Sequence, residues 1–391
     1  MHVIVVTDDV LYPTNSGGRS ALLGECEALV AAGCELTLVV SHRNKLSAHE
    51  VSQHEKLASR VVFIQRSGFA ATTMAHPLRP FQMQSRKTVL REMALGLGRE
   101  DTVGVIASHE WTIPLAKSIA GPLGLRVALR SHNDEVAYMQ ALARSASGLR
   151  RAYCWAEAVR LRIMLKELYR DIAAVAVLSE GDSDSYRPFG LTPTFVPAVL
   201  FRDHDANGSA ANIPPESARL LFVGALDMPQ AVEGLKWFCS RVLPLVRAAV
   251  PHAELHVAGR RPNREIAQLL SAMDGVEFHG EVSSLEPLYA ATRIFVNPVF
   301  SGSGVNMKVG PPAVRGIPVV TTTTGARGLS HLAPGFVIAD DEEEFAAGCI
   351  RLLEDNDMWS QKSGDLSTRA GLISSPSIAR GLLELFDETR V

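Results

Sequence analysis

The sequence predicts an α/β chain folded as two doubly wound domains, each a parallel sheet carrying helices on both faces. Three observations predict this. Short β-branched runs alternate with helical patterns along the chain, the runs form two series of similar length, and a stretch of turn residues separates the series. The length of 391 residues is that of two ordinary domains.

The first series is HVIVVTD (2–8), ELTLVVS (35–41), RVVFIQ (60–65), VGVIAS (103–108), RVALRSH (126–132) and AAVAVLS (173–179). Such near-continuous apolar runs suit strands buried on both faces of a parallel sheet. Between the first two, Leu22, Cys26, Leu29 and Val30 recur at helical spacing and Gly33 punctuates, which makes a βαβ unit. The stretch RDHDANGSAANIPPES (202–217) is crowded with small, polar and turn residues. It reads as a linker between domains at 1–200 and 218–374. The second series is RLLFVGAL (219–226), AELHVAGR (253–260), VEFHGEV (276–282), RIFVNPVF (293–300), IPVVTTTT (317–324) and GFVIAD (335–340). The closing segment IARGLLELFDETR (378–390) reads as a helix. Pattern alone assigns it to neither domain; one placement packs 375–391 back on the first.

Composition removes several function classes. An apolar share of 47% with 21% charged residues describes a soluble globular protein. A formal net charge of −3 lacks the basic excess that tracking a phosphate backbone requires, so nucleic acid is not an expected partner. The five cysteines are scattered, odd in number and without a CxxC pair, which points to a reduced compartment and not to disulfides or a cysteine-bound metal. The opening MHVIVVTDDV lacks the pattern of a signal peptide, and no run nears the roughly 20 apolar residues that span a bilayer. A cytoplasmic placement is expected. Nothing in the sequence speaks to oligomeric state.

In doubly wound sheets ligands bind beyond the carboxyl ends of the strands, and three such ends carry chemistry. Gly17 and Gly18 directly precede a helix, where their amides could approach a diphosphate; a plain turn is the alternative. The absence of GxGxxG argues against an ordinary dinucleotide site. Arg130, His132, Asn133 and Asp134 crowd the end of another strand. A histidine there could accept a proton or donate to a developing charge, or it could merely shape the loop. His109, in SHEW (108–111), would line or support the same cleft without doing the chemistry. The third end is FSGSGVNMKVG (300–310), where Gly302 and Gly304 let successive amides turn toward one anion. Lys308 would add a point charge for a phosphate; a structural turn with a solvated lysine is the plainer reading.

These motifs, in this order, resemble the GT-B glycosyltransferases, specifically the large retaining family numbered four. SGGR with its helix and AAGCELTLVVS is similar to that family's opening βαβ, and RSHN to its first-domain histidine motif. LLFVGALDMPQAVEGLKWF, LHVAGRRP, VEFHGEV, PLYAATRIFVNPVFSGSGVNMKV and GIPVVTTTTGARGL run parallel to its donor domain. The resemblance implies two Rossmann-like domains facing across a cleft and transfer of a sugar from a nucleotide-diphosphate sugar to an acceptor hydroxyl or amine. It implies no metal and no cofactor beyond that co-substrate, because cations and amides neutralise the leaving diphosphate. By position, His132 would contact the transferred sugar and Lys308 the diphosphate. The donor site would be completed by Gly17, Gly18, Arg260, Phe278, Ser303, Gly304, Val305 and Asn306, with His109, Arg130 and Asn133 toward the acceptor.

The departures from the family's pattern are specific. Where many relatives carry two acids eight residues apart, this chain has Ser303 and Pro311, so the usual ribose clamp is missing. Asn306 stands where relatives with this variant loop tend to carry arginine, and GALDMPQAVEG lacks the arginine and lysine common after the donor domain's first strand. Lys308, with Arg260 or Arg261, is left to meet the diphosphate. Three readings follow: a glycosyltransferase with an altered donor site, a GT-B enzyme of another reaction such as nucleotide-sugar epimerisation or hydrolysis, and a non-catalytic partner subunit.

On the acceptor side, LARSASGLRRAYCWAEAVRLRIMLKELYR (142–170) interleaves basic residues with Trp155, Val159, Ile163 and Leu168 at helical spacing. Two readings stand, a core-packing helix with a solvated basic face and a basic amphipathic helix resting on anionic membrane. The stretch 66–90 has no clear periodicity and is a candidate for acceptor specificity.

Overall fold

The computed structural model describes residues 1–14, 17–67, 78–85, 88–200, 217–262, 264–301 and 305–387. The linker segment 201–216, the loop tip Gly302, Ser303 and Gly304, and much of the 66–90 stretch therefore lie outside the described residues. The chain forms two compact units, Met1–Val199 with Ser375–Val391, and Leu200–Ser374.

In the first unit the β-branched runs form β1 (His2–Thr7), β2 (Glu35–His42), β3 (Arg60–Gln65), β4 (Thr102–Ser108), β5 (Val127–Ser131), β6 (Ile172–Val177) and β7 (Thr194–Phe195). Every pairing is parallel and the order is β3-β2-β1-β4-β5-β6-β7. The helices used below are α1 (Gly17–Ala31), α2 (Ala48–Leu57), α3 (Ile113–Leu123), α4 (Glu135–Ser145) and α5 (Gly148–Tyr169). The strand period of two divides β1 between two cores. Ile4 and Val6 join the core that holds Ile113, Leu161 and Leu165, while Val3 and Val5 join the one that holds Leu22 and Leu29.

The second unit has the sheet order β10-β9-β8-β11-β12-β13. Its strands are β8 (Arg219–Ala225), β9 (Glu254–Arg260), β10 (Val276–Gly280), β11 (Ile294–Asn297), β12 (Val319–Thr321) and β13 (Phe336–Ile338), again all parallel. Its longer helices are α6 (Pro229–Trp237), α7 (Arg264–Ser271), α8 (Glu342–Glu354) and α9 (Asn356–Arg369). Gly234 on α6 lies against the Pro298 carbonyl so closely that a methyl group there would overlap it. Backbone meets backbone at this point, so neither side can yield cheaply. Gly234→Ala is expected to lose about 1–3 kcal/mol in a urea melt, although alanine is the better helix former by about 1 kcal/mol. An unchanged midpoint would show that the helix simply slides.

The last helix, α10 (Ser375–Leu383), belongs to the first unit. Ile378, Ala379 and Leu382 enter the core beside α1, and Phe386 covers Gly104 on β4, where any side chain would strike its ring.

The basic segment 142–170 is two helices, with α4 ending at Ser145 and α5 starting at Gly148. α5 packs inward through Cys154, Ala158, Leu161, Leu165 and Leu168. Of the stripe read from the sequence only Leu168 is buried; Trp155, Val159 and Ile163 are exposed, Ile163 by 69%. The inward face is instead completed by Glu157, whose carboxylate accepts the backbone N–H groups of Phe81 and Gln82 at 2.9 and 3.0 Å. Among the described residues no helix is long and apolar enough to cross a membrane. All five cysteines are buried and unpaired.

Candidate active site

In each sheet the strand order reverses once, between β1 and β4 and between β8 and β11. Loops leaving the two central strands diverge there, and the opening between them is where doubly wound sheets hold ligands.

In the first unit Asp8 follows β1 and His109 follows β4, and His109 Nε2 lies 3.9 Å from Asp8 Oδ1. His109 Nδ1 is 3.0 Å from Glu135 Oε1, and the other Glu135 oxygen accepts Trp111 Nε1–H at 3.0 Å. Burial alone would lower the His109 pKa, but Asp8, the Glu135 hydrogen bond and the charges of Glu135 and Glu110 outweigh it and raise it to about 9. The imidazole is therefore cationic at neutral pH. Its backbone is held at φ 70°, ψ 154°, a region that costs a side-chain-bearing residue on the order of 1–3 kcal/mol. His109→Gly is accordingly expected to be more stable than His109→Ala by about 1–3 kcal/mol in parallel denaturation curves; equal stabilities would mean the loop relaxes.

His132, directly after β5, sits 4.6 Å from His109 between ring centroids. Its Nε2 is 3.4 Å from Glu25 Oε2, both ring nitrogens are buried, and neither makes a hydrogen bond among the described residues. Burial lowers its pKa against the opposing pull of Glu25. Two neighbouring imidazoles are thus driven apart, His109 toward its cationic form and His132 toward its neutral form.

Arg130 requires a correction. Expected to face the acceptor, it is fully buried: Nε donates to Glu25 Oε1 at 2.8 Å, and its other nitrogens donate to the Val196 and Pro197 carbonyls at 2.7 and 3.2 Å. All three guanidinium nitrogens are engaged inside the fold and none of the side chain is exposed, so Arg130 does not reach a ligand. Glu25, on α1, serves both Arg130 and His132. Burial, the largest influence, would raise its pKa, yet the charge and hydrogen bond of Arg130, with the approach of His132, hold it at about 2. Asn133 is half-buried and its carbonyl accepts from Ser131 Oγ at 2.9 Å, while Asp134 caps α4 through Ala137 N at 2.9 Å. Gly17 and Gly18 lie inside the first turn of α1, and the space above Gly18 is open.

Beside this pair lies a cavity of about 310 Å³ lined by Glu110, Glu135, Tyr169, Tyr186 and Phe189, among others. Glu110 Oε1 accepts from Tyr186 and Tyr169 hydroxyls at 2.7 and 3.1 Å, and its Oε2 is buried without a partner among the described residues. Burial and the neighbouring Glu135 charge raise its pKa to about 7. His109, Glu110 and Glu135 are near enough to share an ion, but Glu135 is taken by His109 and Trp111 and Glu110 by two tyrosines, which makes them a poor metal set.

In the second unit Lys308 lies over the Phe222 ring of β8, with Nζ 5.1 Å from its centroid. Burial lowers its pKa to about 8. No hydrogen bond or ion pair engages it among the described residues. The segment leading to it is pinned by polar groups at the β11 and β12 ends. Asn306 Nδ2 donates to Asn297 Oδ1 at 3.2 Å, and Asn297 Nδ2 donates to Thr321 Oγ1 at 2.9 Å. Val305 is half-buried beside them. Pro311 stands in the first turn of a short helix, Gly310–Val314, where its missing N–H costs no hydrogen bond. Arg260 is half-buried at the end of β9, and Arg261 pairs with Asp227 at 3.2 Å. Phe278 is half-buried on the edge strand β10.

Residues 217–355, most of this unit, match the family described as Glycosyl transferases group 1. Over that stretch the second unit is similar to the group 1 glycosyl transferases. Along the full chain, an uncharacterized 44.6 kDa protein in cps region of Klebsiella pneumoniae is 27% identical over 359 residues, covering 89% of this chain and 90% of that one. Sucrose-phosphate synthase from Thermosynechococcus elongatus superposes with a TM-score of 0.63 at 14% identity, covering 99% of this chain and 98% of that one. HepE from Anabaena, solved in complex with UDP and glucose, gives 0.59 at 12% over 98% of each. These likenesses establish the GT-B fold.

Within the second unit the residues that sequence reasoning missed are Asn297 and Thr321, polar groups closing otherwise apolar strands. In the first unit they are Glu25, Asp8 and Glu135. An Asn at the end of IFVN was a usable signal; a glutamate within a helical pattern 105 residues from its arginine was not.

Proposed function

We propose that the chain is a metal-independent, retaining glycosyltransferase, moving a sugar from a nucleotide-diphosphate sugar to an acceptor hydroxyl. The observation that carries this is Lys308, a partly buried cation at the β8/β11 reversal, with no acid partner among the described residues. A diphosphate would supply the missing counter-charge, and the lysine would do what a divalent ion does elsewhere. The first unit would take the acceptor beside the cavity under Glu110. His109, cationic at neutral pH, cannot serve as the base, which favours the leaving phosphate oxygen as the acceptor of the hydroxyl proton. His109 and His132 would then act on charge and orientation.

Thermal-shift titration with nucleoside diphosphates and their sugars tests the reading, with UDP first because HepE was solved with it. A rise in melting temperature with one diphosphate, absent in Lys308→Ala, is expected. No rise with any of them would favour the non-catalytic reading, and donor consumption without acceptor would favour epimerisation or hydrolysis.

The exposed face of α5 extends the proposal. Leu149, Trp155, Val159 and Ile163 are exposed among Arg150, Arg151, Arg162 and Lys166, so the acceptor unit would rest on anionic lipid and reach lipid-linked acceptors. Sedimentation with phosphatidylglycerol vesicles should retain the wild type and lose Trp155→Asp/Ile163→Asp. Equal sedimentation of both would reject the surface.

A further inference from the structure

The open edge of the second sheet carries a cluster that the transfer reaction does not use. His256 on β9 stands in register with Glu277 on β10, and His279 lies two residues further along β10, on the same face. His256 Nδ1 is 2.9 Å from His279 Nε2 and 3.5 Å from Glu277 Oε2, and His279 Nε2 is 3.6 Å from Glu277 Oε1. We propose that His256, His279 and Glu277 form a binding site for one transition-metal ion of the zinc class, with solvent in the fourth position.

The dimensions suit the ion. Ligand atoms about 2.0–2.1 Å from a tetrahedral zinc lie roughly 3.3–3.4 Å from one another; the two ring nitrogens, at 2.9 Å, need to part by only a few tenths of an ångström, and the Glu277 carboxylate, which now turns Oε2 to His256 and Oε1 to His279, needs to rotate to present one oxygen to the ion. The ligand types are the imidazole and carboxylate that zinc accepts. Behind His256, its second nitrogen Nε2 faces Glu254 Oε2 at 3.7 Å. A carboxylate in that position is the outer partner that ligating imidazoles commonly have; it places the proton on Nε2 and turns the Nδ1 lone pair toward His279. Arg219, opposite Glu254 in register on β8, offsets one of the two carboxylate charges and leaves the other for the cation.

The competing account is a single N–H···N hydrogen bond between the two rings. It gives Glu277 no part in that bond. An ion would instead use all three groups and clip the edge strand β10 to β9. The site lies outside the Lys308 region, so it does not depend on the transfer reading.

The experiment is a Co²⁺ titration of the chelator-stripped full chain, read by visible absorption, with Zn²⁺ as competitor. One equivalent with the intense bands of a four-coordinate ion, displaced by Zn²⁺, is expected. Binding should weaken about tenfold or more in His279→Ala and in Glu277→Gln, while UDP titrations of the same variants stay unchanged. The half-exposed Glu277→Gln carries the test should His279→Ala fail to fold. No uptake by the wild type, or unchanged uptake by the variants because other histidines hold the ion, overturns the proposal.

Discussion

Glu25→Ala is expected to lose about 3–5 kcal/mol of folding stability, the usual result of stranding a buried charge. Arg130 has no exposed surface, and Glu25 is its only anionic partner within salt-bridge distance among the described residues. Removing the carboxylate leaves a guanidinium that the Val196 and Pro197 carbonyls can solvate only in part. Glu25→Gln should lose less, since an amide oxygen still accepts one N–H. The pH dependence follows from the lowered pKa. A carboxylate held at about 2 in the fold, below its ordinary value near 4.5, contributes stability that is present above 4.5 and lost as the pH falls toward 2. The gap between wild type and Glu25→Gln should therefore narrow over that interval. Urea melts from pH 7 down to 2.5 would show it; a Glu25→Ala loss below 1 kcal/mol would mean that water reaches Arg130 after all.

Lys308→Met should separate binding from stability. Hydrogen bonds to charged groups are worth about 1.5–3 kcal/mol, so nucleoside diphosphate affinity should fall roughly tenfold to a hundredfold. Stability at neutral pH should rise, because the variant removes a desolvated cation. The sign can be checked against pH. With the amine at about 8 in the fold and 10.5 in the unfolded chain, the native state sheds its proton first, so wild-type stability increases from pH 8 to 10.5 and the advantage of the variant shrinks. Calorimetric titration with UDP and denaturation across that range measure the two halves. A variant that bound normally, or that lost stability at pH 7, would remove Lys308 from the site.

The order of the strands was legible because parallel sheets buried on both faces need unbroken apolar runs, and these runs are hard to mistake. The faces of α5 were not. Its most hydrophobic spacing, Trp155–Val159–Ile163, points to solvent, while a sequence of modest residues, Cys154, Ala158 and Leu161, together with Glu157, faces inward. Periodicity finds the richest stripe, and a surface with work of its own can be richer than a core. At the site, strand-end residues were visible singly but their partners were not. For His109, the sequence offered no sign of Asp8 and Glu135, which come from other elements to lie 3.9 and 3.0 Å from its ring. Arg130 looked like a ligand contact for the same reason: nothing in RSHN reveals a glutamate on α1. The two glycines before α1 turned out to lie in its first turn, a shift of the kind that boundary signals rarely resolve.

The return of α10 to the first unit has a consequence for biosynthesis. Ile378, Ala379, Leu382, Leu385 and Phe386 complete a core whose other buried members emerge within the first 199 residues. A ribosome adding about 5–20 residues per second would take roughly ten seconds or more to make the intervening unit. Throughout that time the α1 face and the strip of β4 at Gly104 would have no cover from their own chain. The second unit, contiguous from Leu200 to Ser374, can close first. A nascent chain stalled before Ser375 should consequently hold chaperones on its N-terminal portion, and emergence of the segment through Phe386 should discharge them.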